Sequence, residues 1–397
     1  MPRAATTVAV LCVSAAALTL MAEQAPPTDA TVLGDAIDRL GTFDFETRTE
    51  AARVVRRAPP DRVVPALVAA VRAHRDEYVR YRAMVLLAGF VEDMPSTRAA
   101  EPVAQLMQAM IGDRNDRVRT VAYQWFEYHP DASVLPQLLE AINTERSEFI
   151  RPALTRALAA HGDDPRVRDA LLLLVLRGDD YFRGAVIGAL GDHKAQYALP
   201  RITEVAQLDG PLQDDAITAL GRIGEGSART TLAALQQSLP RELQPTVSAA
   251  FCLLGIDCDA RAAYVRETLL FAASTEGHQP LLRGAVHATA MLAIGGREDA
   301  LSGLFQVGLR VADPARAAIA LGIGTVALRR PLMLLTVLER TSDVREVILL
   351  VREAFDMLAE DFEEERFYVQ IRRAHWEAPP DSTRRRTAAT LIEITEF

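Results

Sequence analysis

Tyr181 to His193 reads YFRGAVIGALGDH, and Leu281 to Gly295 reads LLRGAVHATAMLAIG. The shared RGAV places Arg183 and Arg283 100 residues apart. Taking the residue before each arginine as position 0, positions 0, 4, 7 and 8 are Phe182, Val186, Ala189, Leu190 and Leu282, Val286, Thr289, Ala290. Residues so spaced share one face of an α-helix.

The same template recurs at Val79-Arg80, Val118-Arg119, Ile150-Arg151 and Ala315-Arg316. Glutamine replaces the arginine at Leu212-Gln213 and Leu243-Gln244. The pattern decays at both ends, at Thr47-Arg48, Val344-Arg345 and Arg384-Arg385. From Arg48 to Arg385 successive copies lie 32, 39, 32, 32, 30, 31, 39, 33, 29 and 40 residues apart. Between them run second amphipathic segments such as VVPALVAAV (63–71), SVLPQLLEAI (133–142) and LSGLFQVGL (301–309). Glycine often follows the template, as at Gly89, Gly162, Gly191, Gly224, Gly255 and Gly295, which predicts a left-handed helix stop. No segment alternates with a period of two over a useful length. The expected fold is therefore all-α: an α-solenoid of about ten to eleven stacked helix-turn-helix units. Each pair buries its apolar face against a like neighbour, and degenerate units cap the ends.

The VR or FR pairs that open the second helix, set after acidic turn residues, resemble HEAT repeats, and more closely the short HEAT-like repeats of bacterial proteins. The carriers are Asp76 before Arg80, Asp116 before Arg119, Asp179 and Asp180 before Arg183, and Asp343 before Arg345. The resemblance covers residues 35–397, with Gln213, Gln244 and three long units as departures. It implies a scaffold for a protein or peptide partner. The recurring arginine is read as a tie to acidic groups of its own or a neighbouring unit.

Composition narrows the function further. Hydrophobic residues make up 49% of the 397, aromatics only 6%, and the net charge is −9. An acidic chain is ill suited to nucleic acid, where affinity rests on cations meeting phosphates. Lys194 is the sole lysine, which leaves little room for Schiff-base or phosphate-loop chemistry. The N-terminus, MPRAATTVAVLCVSAAALTLMA, has the shape of a signal peptide over residues 1–22, followed by a linker over 23–34. Removal after Ala22 and a periplasmic or secreted location are expected; an uncleaved anchor, and with it a membrane tether, is the alternative. Cys252 and Cys258 then remain, and two readings stay open: a disulfide, or two separate small core residues.

Among the seven histidines no pair has metal-ligand spacing on one helix, and HExxH, GxSxG and GxxxxGK[ST] are all absent. No catalytic, cofactor or metal residue is assigned. The acidic run EDFEEERFYVQIRRAHW (360–376) places acids first and arginines last, as the helix dipole favours. Trp125 and Phe126 in YQWFEYH (123–129) fall on core positions. The anomaly lies on the other face of the template helix, expected to line the concave side. There the central copies carry Gly184, Ile187, Gly188, Gly191, His287, Met291, Ala317 and Leu321, where solvent-facing helix positions are ordinarily polar. Two readings follow: tight curvature, or an apolar groove for a partner. The early copies carry Arg53, Tyr81, Gln124, Glu127 and Arg156 there, read as a wet surface. The expected function is an exported, non-catalytic protein-binding scaffold that uses its inner face. The alternatives are a HEAT-like lyase-type enzyme and a membrane-tethered envelope assembly factor.

Overall fold

A computed structural model describes residues 30–92 and 100–397. Twenty-two α-helices and two short 3₁₀ turns, with no strand among the described residues, form eleven consecutive helix pairs. The first helix, Ala30–Arg39, starts inside the stretch expected to be linker, so the array begins nearer residue 30 than 35. Its Leu33, Ala36, Ile37 and Leu40 recur at helical spacing and are buried, which is enough to hold this turn against the next pair. The expected signal segment 1–22 lies outside the described residues. Among those described, no single helix is long and apolar enough to cross a membrane.

The template positions are the core. Phe182, Val186, Leu190, Ala83, Leu86, Leu87, Ala122, Leu154, Ala216, Leu220 and Ile319 have no solvent exposure. The second helices form a continuous inner row, each packed on the next: Asp180–Asp192 on Gln213–Ile223, then Gln244–Leu253, Gln279–Ile294 and Ala315–Arg329.

Arginines at the start of several second helices tie the array together. Arg80 donates from Nε to the carbonyl of Val71, near the end of the preceding helix, and pairs with Asp113 of the next unit. Arg119 grips Glu145 of the next unit at 2.8 and 2.9 Å, and Arg316 reaches Glu353 at 3.1 Å. Arg183 donates to the Val175 carbonyl at 2.9 Å. The glutamines serve the same end: Gln213 Nε2 donates to the Ala206 carbonyl and Gln244 Nε2 to those of Gln236 and Leu239. For Arg80, Arg183, Gln213 and Gln244 a side-chain N–H satisfies a carbonyl that a finishing helix leaves open. An amide does this as well as a guanidinium, which accounts for the two substitutions. Of the glycines expected to stop helices, Gly224 and Gly255 do so with φ of +80° and +73°. Gly89 and Gly191 do not: their helices, Glu77–Glu92 and Asp180–Asp192, run on past them.

Buried apolar side chains fall into two clusters, one spanning the first eight pairs and the other the last four. From the eleventh pair a single residue, Phe362, belongs to the first cluster. The last pair therefore comes back to the first ones, and the array closes on itself.

Candidate functional site

The closure is built by the helix Asp361–Glu377, which packs against Glu77–Glu92 from the inner side. Its acids point into the first units. Glu365 takes a forked set of bonds from Arg56, Nε at 3.0 and Nη2 at 2.5 Å to Oε2, with both side chains nearly solvent-free. The Arg56 guanidinium lies 5.0 Å from the Tyr368 ring and 5.3 Å from that of Phe397. Asp361 accepts from the Tyr81 hydroxyl at 2.6 Å and pairs with Arg82 at 2.5 Å. Burial alone raises a carboxyl's pKa, yet Arg82 and the Tyr81 hydroxyl hold Asp361 below its ordinary value. Glu363 accepts from the Tyr128 hydroxyl at 3.0 Å; burial, with Glu127 nearby, pushes its pKa up. Arg366 spans Glu363 at 3.2 Å and Glu92 at 3.1 Å while lying over the Tyr128 ring. Glu364 faces no cation as closely; burial, then the Asp361 charge, lift its carboxyl to about 8.

Gly89 makes the approach possible. A Cβ there would lie 2.8 Å from Glu365 Cγ, so its missing side chain is a seat for the carboxylate arm. Deeper inside, Glu127 is bonded by Arg156 at 3.0 Å and faces His193, while Asp192 is shared by Arg222 at 2.7 Å and Arg329 at 3.2 Å. Burial opposes ionisation of Glu127, but His193, Arg156 and Arg329 hold its pKa below the usual value. Residues from the third and fifth units, Glu127 and Asp192, thus meet Arg329 of the ninth across the axis.

The reading of the early inner face as a wet surface is corrected. Gln124 and Glu127 are buried, and Tyr81 is bonded to Asp361. The acidic run keeps its dipole order, with Asp361, Glu363 and Glu364 in the first turn, but three of its acids have partners on distant helices. What betrays this in the sequence is faint: a glycine in mid-helix at 89, and acids at 361 and 365 on one helical face.

The central groove is corrected too. Ile187, Gly191 and Met291 are buried, and Gly184 sits where a Cβ would meet Asp215 Oδ2 at 2.7 Å. His287 Nε2 lies 2.9 Å from Thr218 Oγ1, two units away, and a Cβ on Gly221 would be 2.7 Å from Ala250 Cα and 2.8 Å from Met291 Cε. The inner helices there are so close that alternate units touch. Ala317 is half-buried, Gly188 has open space beside it, and of the eight only Leu321 is exposed. Gly184, Gly191 and Gly221 therefore let the inner helices approach closely on the inside of the curve. The structure joins Cys252 and Cys258 as a disulfide.

An open cleft lies between the array's ends. A cleft of about 1300 Å³ separates Phe45–Arg57 and Pro60–Ala73 from Asp361–Glu377 and Thr383–Ile394. Arg53, Arg57, Tyr368, His375 and an exposed Trp376 are among the residues that line it. A smaller polar cleft of about 240 Å³ adjoins it nearer the start of the closing helix, sharing Arg56 and Phe397, with Arg48, Arg82, Arg352 and Glu364 on its walls.

Eleven helix pairs with a shared buried template make an α-solenoid of HEAT-like architecture. Residues 103–181 match the family model for HEAT repeats. Among solved structures, the Escherichia coli protein YibA is similar at 17% identity and a TM-score of 0.42, over 57% of this chain and 85% of that one. An engineered protein aligns at 13% identity and a TM-score of 0.31, over 92% of this chain and 99% of its own. Importin beta aligns at 14% identity and a TM-score of 0.42, over 91% of this chain, which spans 56% of importin beta. No curated protein sequence matches the chain. Among the described residues no group of three or more His, Cys, Asp or Glu is placed to hold a metal ion.

Proposed function

We infer that this chain is an exported, non-catalytic scaffold that holds a protein or peptide partner at the junction of its two ends. A HEAT-like solenoid fits a protein-binding role in general. The observation that carries the finer reading is the cleft of about 1300 Å³ between the first and last helices, where arginines and aromatics collect on an otherwise acidic chain. Arginine and aromatic side chains are the groups that anchor protein contacts most strongly. The central inner face, by contrast, is filled by its own neighbours. The signal-like residues 1–22 support export, to the periplasm or outside the cell.

A photo-crosslinking residue at Trp376 or Arg57 is expected to capture a discrete partner in the native host, whereas one at Gly188 is expected to capture none. Equal capture from both positions, or capture only from Gly188, overturns the placement. Mass spectrometry of the mature N-terminus tests export: a chain that retains residues 1–22 overturns it.

A further inference from the structure

The seam between the ends differs in balance from the contacts between neighbouring units, where ion pairs only supplement an apolar core. Elsewhere neighbouring pairs share apolar template residues. At the seam the closing helix meets the first units through Asp361, Glu363 and Glu365, with Phe362 as its one member of the first apolar cluster. The receiving surface is made of Arg56, Tyr81, Arg82, Gly89 and Tyr128, from three successive second helices. It is a row of donors with a glycine seat, bordered by Glu92, which holds Arg366 of the same helix at 3.1 Å, and it is shaped for a helix led by acids. Replacing a buried ion pair by apolar packing is often neutral or stabilising, so such a contact is weak evidence of selection for stability. It is well suited to recognition, because donors left without their acid reject other surfaces. The joint that leads into the closing helix is short: Ala359, with φ of +51°, lies between Val344–Leu358 and the turn residue Glu360.

We propose that the inner face of the first three second helices is a receptor for an acidic amphipathic helix, occupied in cis by Asp361–Glu377, and that a partner protein binds by presenting an acidic helix in its place. The inference rests on the scaffold reading above and names the partner's chemistry. The partner helix carries carboxylates four residues apart, matching Asp361 and Glu365, with an aromatic residue after the first, matching Phe362. Because the resident helix is tethered, its effective concentration is of order millimolar, and it suppresses binding in trans until the seam is weakened.

The test uses the full-length chain and a fluorescein-labelled peptide of residues 360–377, EDFEEERFYVQIRRAHWE. The double variant Asp361→Ala/Glu365→Ala is expected to bind this peptide at least tenfold more tightly than the wild type, read by fluorescence polarisation. A peptide with alanine at both those positions is expected not to bind it. Circular dichroism establishes that the variant keeps its helices. Should it not, Arg56→Glu serves instead: it is expected to refuse the native peptide and to accept one carrying Glu365→Arg. Equal binding to the wild type and the double variant, or binding to neither receptor variant, overturns the proposal. Concentration-dependent dimers of the variant overturn the partner assignment in favour of exchange between copies. If the peptide fails while crosslinks from Trp376 still capture a partner, displacement falls and the scaffold reading stands.

Discussion

The centre and the seam of this array solve the same problem, bringing second helices together on the inside of a curve, by opposite means. In the centre, Gly221 and Gly284 take the place of side chains, and backbone lies against backbone. At the seam the inner face keeps large polar groups, Arg56, Tyr81, Arg82 and Tyr128, and a helix from the far end meets them with carboxylates. Apolar and backbone contact is unspecific but unconditional. Matched charge is specific and depends on both partners and on pH. The difference teaches that the centre holds the shape while the seam can respond.

The largest expected effect breaks the seam alone. Glu365→Ala leaves Arg56 buried without an acid, which costs about 3–5 kcal/mol locally. Hydrogen exchange is expected to quicken in residues 45–92 and 361–377 while the centre stays protected. Uniform loss of protection would show that the two regions do not differ. Arg56→Met combined with Glu365→Leu is expected to restore most of the protection, since neither charge is then stranded.

A centre mutation should act the other way. Gly221→Val sets a side chain into the Ala250 backbone and is expected to cost about 1–3 kcal/mol, or more. The denaturation midpoint of the whole chain should fall with it. A change confined to the ends would contradict the assignment of the centre as the rigid part.

A smaller effect concerns pH. Glu364 has an ordinary value of 4.5 and stands at about 8 in the closed state, raised by burial and by Asp361. A raised carboxyl means that its contribution is fully present below about pH 4.5 and is lost as pH rises through about 8. Asp361 acts in the opposite sense: its lowered value supports closure above its ordinary pKa and withdraws that support in acid. Glu364→Gln is expected to remove the alkaline loss, so that seam protection no longer declines between pH 5 and 8, roughly the interval between the two values. An unchanged pH profile would assign that decline to another group. The smallest effect expected is for Gln213→Ala, about 1 kcal/mol, as the Ala206 carbonyl loses its donor. Gln213→Arg should be nearly neutral in the same thermal melt.

Most of the fold was legible because the template is local. Phe182, Val186, Ala189 and Leu190 lie within one helix, and their spacing alone states which face is inside. The glutamines at 213 and 244 looked like departures because their target is a carbonyl, which leaves no trace in side-chain identity. The seam was not legible. Arg56 and Glu365 are 309 residues apart, and nothing in a period near 32 reports where a curved row returns to itself. Small inner residues such as Gly184 and Gly191 read equally as a groove or as crowding; only the angle between units decides, and that angle is the sum of many small rotations. Gly89 was misread as a helix stop because glycine signals a turn and a close approach with the same letter.

Closure also constrains how many units the chain can have. An open row of repeats tolerates gain or loss of one member, since each touches only its neighbours. Here a deleted pair would rotate the final helix away from Arg56, Tyr81 and Tyr128, and an added one would carry it past them. The number of units is therefore fixed by where the last must land, and length variation in this array is expected in its loops rather than in its count.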